Sequence, residues 1–196
     1  MKNFEPESFK AALAELVGTF FLTLAALLSG IPYAVGLTLA AFVYAIGNFS
    51  GSHLNPAVSV GLMTNRSISL STGVLYVIVQ IIGALLARLV GGLMGDLATD
   101  YQAAGGLGEF FGFGLLILTI VAVYEKNVPR AGSGVAIGAA LAAGLLTTKG
   151  ILNPAIAIAM NQAISPATWA TILSGILFAV LFKLLFQKQR LDNNRR

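Results

Sequence analysis

The sequence has no cysteine and a single histidine, His53. Disulfides and thiol chemistry are therefore excluded, and a Cys/His zinc constellation has no ligands to draw on. Charge is scarce as well. Only 10% of the 196 residues are Asp, Glu, Lys or Arg, against about 25% in an average soluble domain. No nucleophile–base pair or metal-ligand cluster points to an enzyme, and no pair of pore-facing acids points to ion-coupled transport. No cofactor is expected. What the chain has instead is apolar mass: 57% hydrophobic residues and a mean hydropathy of +0.84. That composition belongs to an integral membrane protein. The net charge of +4 does not read as nucleic-acid binding, because the basic residues gather at the ends of apolar runs. The opening residues, Met1 to Glu7, lack the cationic start and cleavage site of a signal peptide, so the first apolar run reads as a retained span.

A membrane-crossing helix needs about 20 apolar residues. Six segments qualify: Phe9–Ser29, Tyr33–Phe49, Ser71–Gly95, Leu107–Tyr124, Ala131–Thr148 and Ala167–Leu185. Two more, Pro56–Thr64 and Pro154–Ala163, are too short, since ten residues of helix cover about 15 Å. Such half-helices survive at depth only where protein or a water-filled cavity satisfies their ends. The predicted fold class is therefore all-α, with six transmembrane helices and two half-membrane re-entrant helices.

In a six-span chain, Lys2, Lys10, Arg66, Lys126, Arg130, Lys183 and the basic tail Lys188–Arg196 share one side. Lys149, Asp96 and Asp100 lie on the other. The positive-inside rule then predicts both termini cytoplasmic, the tail (188–196) lying against anionic lipid, in a multi-pass protein whose expected location is the plasma membrane. Lys149 is expected to snorkel to the outer interface or to supply a charge to the pore mouth. Arg88 falls inside the third span, where it would pair with a neighbouring span, snorkel outward or face a pore.

One short box occurs twice, as Asn55-Pro56-Ala57 and Asn153-Pro154-Ala155. Each opens a half-helix. The first and fourth spans also match: Glu15 and Gly18 are followed by Leu22 and Leu24, and Glu109 and Gly112 by Leu116 and Leu118. Three crossings per half is an odd number, so the second half must insert upside down. The expected organisation is one channel domain over 1–196, built from half-repeats at about 8–98 and 105–187. Gly18, Gly83, Gly91, Gly92, Gly112, Gly138 and Gly144 are candidates for close helix contact.

The box has a physical logic. Asn is a strong N-cap, Pro is favoured at the first helical position, and Ala lets two helix ends press together. Two half-helices meeting N-terminus to N-terminus bring two positive dipole ends to the midplane. Asn55 and Asn153 would cap with their oxygens and offer N–H donors to a passing water. A water accepting from both points its hydrogens outward, which interrupts a proton-conducting chain, and the positive ends repel cations. The residues before each box, Gly51–Leu54 and Lys149–Leu152, are expected to run extended with carbonyls along the path. His53 is expected as a pore-side scaffold, with pH gating as the alternative. Glu15 and Glu109 are expected to bind loop backbone N–H groups and hold the half-helices, with a proton relay as the alternative.

These residues resemble those of the aquaporin, or major intrinsic protein, family. Ser50-Gly51-Ser52-His53-Leu54-Asn55-Pro56-Ala57-Val58-Ser59 is similar to the family's first signature, and Glu15, Glu109, Gln80 and Gly83 match its spans. The resemblance implies a narrow pore in each subunit of a homotetramer. It places an outer filter on Val35, Leu145, Gly150 and Ile156. The family usually has Arg at the last of these positions. Ala157 stands where glycerol-conducting members typically have Asp, and Ser174-Gly175 where the family has Gly-Pro. The expected function is a passive channel for water and small neutral solutes. The alternatives are a wider neutral-solute channel (glycerol, urea, ammonia or gas) and a membrane scaffold with a closed pore.

Overall fold

The computed structural model describes residues 6–98 and 105–186. The tail 188–196, Lys2 and Asp100 lie outside the described residues. Eight helices follow in order: α1 (Pro6–Ser29), α2 (Pro32–Ser50), α3 (Pro56–Thr64), α4 (Leu70–Met94), α5 (Gly106–Tyr124), α6 (Arg130–Thr148), α7 (Pro154–Ala159) and α8 (Pro166–Phe186). Six of them are long and apolar enough to cross a membrane, and no strand occurs among the described residues. Both halves thus run long, long, short, long. The turn between α1 and α2 is a local consequence of sequence: Gly30 takes φ +59°, and Pro32 stands at the start of α2.

The bundle holds a set of polar side chains inside an apolar core and exposes large apolar side chains on its outside. Glu15, Thr19, Gln80 and Glu109 are buried, while Leu37, Leu93, Leu107 and Leu184 are exposed. Patches of that kind are unstable in water and stable against lipid. Helix α1 packs on α4 and α2, α5 packs on α8 and α6, and α2 packs on α6. The halves interlock, because α3 packs on α8 and α7 packs on α4.

The α2–α6 crossing depends on two facing glycines. A Cβ on Gly36 would stand 2.6 Å from the Gly138 carbonyl oxygen, and one on Gly138 would strike the Gly36 carbonyl in return. Among the glycines singled out in the sequence, Gly92 departs from expectation. It has open space beside it, because it falls on the outer face of α4.

The second half-helix is shorter than the pattern suggests. It ends at Ala159 rather than Ala163. Asn161 takes a left-handed φ of +60°, and the Gln162 N–H reaches back 2.7 Å to the Ala157 carbonyl. This is the Schellman stop, which Asn tolerates better than other side-chain-bearing residues. The same stop closes α3 at Arg66 (φ +64°), with Ser67 N–H donating to the Leu62 carbonyl at 2.9 Å.

Candidate functional site

Each half-helix starts in the same way. Asn55 Oδ1 accepts from the Ala57 N–H at 2.9 Å, and Asn153 Oδ1 accepts from the Ala155 N–H at 3.0 Å. The amide nitrogens then cross between halves. Asn55 Nδ2 donates to the Leu152 carbonyl at 2.7 Å, and Asn153 Nδ2 donates to the Leu54 carbonyl at 2.9 Å. This departs from the expectation of two freely offered amides. An Asn NH2 carries two hydrogens, so one on each side locks the halves together and one remains. Residue spacing gives no hint of these bonds, which join positions 97 and 99 apart in sequence.

The approach loops are not extended, as expected, but kinked. Ser52, Leu54 and Leu152 have φ values of +53°, +51° and +55°. Left-handed backbone at a bulky residue costs of order 1 kcal/mol or more. It turns the Leu54 and Leu152 carbonyls toward the opposite amides. Two buried carboxylates hold the kinks. Glu15 Oε1 accepts from Ser50 Oγ (2.6 Å) and the His53 N–H (2.9 Å), while Oε2 accepts from the Leu54 N–H (2.7 Å) and Gln80 Nε2 (2.8 Å). Glu109 repeats the motif, accepting from the N–H groups of Ile151 (2.5 Å) and Leu152 (2.7 Å) and from Thr171 Oγ1 (3.0 Å).

His53 is pinned at both ring nitrogens, Nδ1 to Ser59 Oγ at 3.0 Å and Nε2 to Tyr124 OH at 2.8 Å. Its ring also meets Tyr76 edge-on, with centroids 5.1 Å apart. Tyr124 escapes sequence reasoning because its partner lies 71 positions away.

Two adjoining cavities run past these groups. The inner one is lined by His53, Asn55 and Asn153 together with Leu22, Leu116 and Ile120 among others, and has room for about one water molecule. The second opens toward the end of the bundle where α7 stops. Val35, Leu145, Gly150 and Ile156, the four expected filter positions, all line it, with Ile151 and Met160. Val35, Ile151 and Ile156 belong to both walls. Pro56, Ala57, Pro154 and Ala155 are buried behind the amides and line neither cavity. No group of three or more His, Cys, Asp or Glu suited to a metal occurs among the described residues.

The profile of the Major intrinsic protein family matches residues 3–173. The chain belongs to that family. It is a membrane channel of the kind that passes water or small solutes. Similar relatives include Aquaporin Z of Photorhabdus laumondii, 29% identical across 90% of this chain and 97% of the relative. Aquaporin AqpM of Methanothermobacter marburgensis is 32% identical across 76% and 64%. Among solved structures, the aquaglyceroporin of Plasmodium falciparum superposes with a TM-score of 0.69 at 20% identity, covering 92% of this chain and 96% of that one. That likeness shows the aquaporin fold.

Within that fold, this major intrinsic protein puts a basic residue where the sequence left several options. Arg88 Nη1 donates to the carbonyl of Ala159, at the end of α7. It is not among the residues lining either cavity. Lys149 is exposed and caps α6 in a left-handed conformation, φ +55°.

Proposed function

We propose that the two adjoining cavities are the permeation path of a passive channel for water and small neutral solutes. The observation that carries this reading is the pair of cross-bonded amides, Asn55 and Asn153, facing one cavity wide enough for about one water. Each amide keeps one N–H for the passing molecule. A water accepting from these donors turns its own hydrogens away, so a proton cannot hop along the file. The N-termini of α3 and α7 add positive potential at the same point. The chain acts as one channel domain of two inverted halves, not as an enzyme. It sits in the plasma membrane with both termini cytoplasmic and assembles as a homotetramer in lipid. Stopped-flow light scattering on reconstituted vesicles should show osmotic shrinkage well above that of empty vesicles. Silence toward water and neutral solutes alike, in folded tetramers, would instead mark a scaffold with a closed pore.

The mouth cavity favours a second reading of the cargo. Val35, Leu145 and Ile156 make its wall apolar, and no charged side chain lines it. Water entering there gives up hydrogen bonds, whereas a larger neutral solute offsets that loss where its apolar face, such as the carbon chain of glycerol, packs against the wall. Replacing Ile156 with Arg narrows the mouth and adds a fixed charge. Uptake of glycerol and urea by Ile156→Arg vesicles is expected to fall about tenfold while water flux changes less. An unchanged solute profile would remove Ile156 from the filter.

A further inference from the structure

An ionised side chain inside a span is costly and is kept for a purpose. Arg88 stands six residues before the end of α4, about 9 Å along the helix. Its partner is the carbonyl at the last residue of α7. In the other half, Lys183 on α8 donates Nζ to the carbonyl of Asn65, the C-cap of α3, at 2.8 Å. The third long helix of each half therefore serves the half-helix of the other half.

The registers agree with this pairing. Gln80 and Thr171 occupy equivalent places, since each donates to the buried acid of its own half. Arg88 comes eight residues after Gln80, and Lys183 twelve after Thr171. The carbonyl that Arg88 meets lies six residues past Asn153, and the one that Lys183 meets lies ten past Asn55. Both differences equal four residues, about one helical turn. The half-helix that is one turn longer is met by a cation one turn further along.

A cation at a helix C-terminus cancels the negative end of the dipole. Here it is cancelled at both half-helices, which leaves the two positive ends at Asn55 and Asn153 uncompensated. The cavity walls themselves carry no Lys or Arg, and the two cations nearest the half-helices lie behind them. We propose that Arg88 and Lys183 are positioning residues that supply the charge of the channel's cation barrier, through the half-helices whose far ends they bind. The proposal rests on the channel reading above.

The test compares neutral variants that keep a hydrogen-bond donor, Arg88→Gln and Lys183→Gln, with the charge-keeping Arg88→Lys and Lys183→Arg. Water flux and entry of protons and sodium are measured on the same reconstituted vesicles. The neutral variants should keep water flux within about twofold of wild type while proton and sodium entry rises about tenfold, the scale of one charge acting in a low-dielectric surround. The charge-keeping variants should remain tight, an outcome that a purely structural clamp does not separate from the neutral ones. Gln162→Glu offers a route that leaves both cations intact. It sets a carboxylate at the same end of α7 and should leak like Arg88→Gln. The proposal is overturned if folded, water-conducting neutral variants stay as tight as wild type, or if Gln162→Glu does so when the neutral variants do not fold. Absence of water flux in the wild type would overturn the channel reading instead.

Discussion

Glu15→Leu is expected to unfold the first pore loop and with it most of the channel. The carboxylate holds four donors. The Ser50 hydroxyl can rotate its hydrogen to another acceptor, and Gln80 Nε2 keeps its second bond, to Ser59 Oγ. The backbone N–H groups of His53 and Leu54 have no such alternative in the structure. Both residues are buried, with Leu54 at 0% exposure, so water cannot substitute. Each orphaned buried donor costs about 1–3 kcal/mol, and the left-handed backbone at Ser52 and Leu54 loses its restraint at the same time. A total of about 4 kcal/mol or more is a large share of a typical stability of about 5–15 kcal/mol. The melting temperature in detergent should fall by about 10 °C or more, with loss of the folded species on size exclusion. Glu15→Gln, which keeps one acceptor oxygen, should fall between. A Leu variant melting like wild type would show that Glu15 does not hold the loop and would reopen the proton-relay alternative.

The second large effect is expected at the α2–α6 crossing. A Leu at Gly36 has nowhere to go, because its Cβ would lie 2.6 Å from the Gly138 carbonyl oxygen and 2.7 Å from Ala142 Cβ. Backbone cannot rotate aside as a side chain can, so the helices must part. Overpacking usually costs about 1–3 kcal/mol, and a contact against backbone belongs at the top of that range. The consequence extends to permeation. Val35, next to Gly36, and Leu141 and Leu145 on α6 form the cavity walls. Gly36→Leu should lower the melting temperature by about 6–12 °C and, in protein that survives reconstitution, raise glycerol uptake relative to water. Gly36→Ala should show the same trend more weakly. Wild-type melting and an unchanged glycerol-to-water ratio would mean that the α2–α6 approach does not set the bore.

The two networks differ in how far they could be read in advance. The acids Glu15 and Glu109 stand out in sequence because a carboxylate inside an apolar run demands donors, and the unpaired N–H groups of a re-entrant loop are the obvious supply. The amides stand out because Asn before Pro starts a helix. The same chemistry did not announce which carbonyl takes the amide hydrogen that locks the halves together. Nothing near Asn55 in sequence points to the carbonyl of Leu152, and only the kink at Leu152 turns that carbonyl inward. The end of α7 is a similar case. Apolar patterning continues to Ala163, but a left-handed Asn161 and the bond from Gln162 to Ala157 stop the helix four residues earlier.

From the sequence alone come the six spans, the starts of the two half-helices, the buried acids and the inverted pairing of halves. All of these follow from local rules: apolar length against bilayer thickness, Asn–Pro capping, and an odd number of crossings. Only the tertiary structure decides which carbonyl each amide and each intramembrane cation meets, how long the second half-helix runs, and how closely α2 and α6 approach. Those contacts join residues tens of positions apart, and their partners are backbone groups that every residue possesses. Composition cannot single one out, and only the packed bundle does.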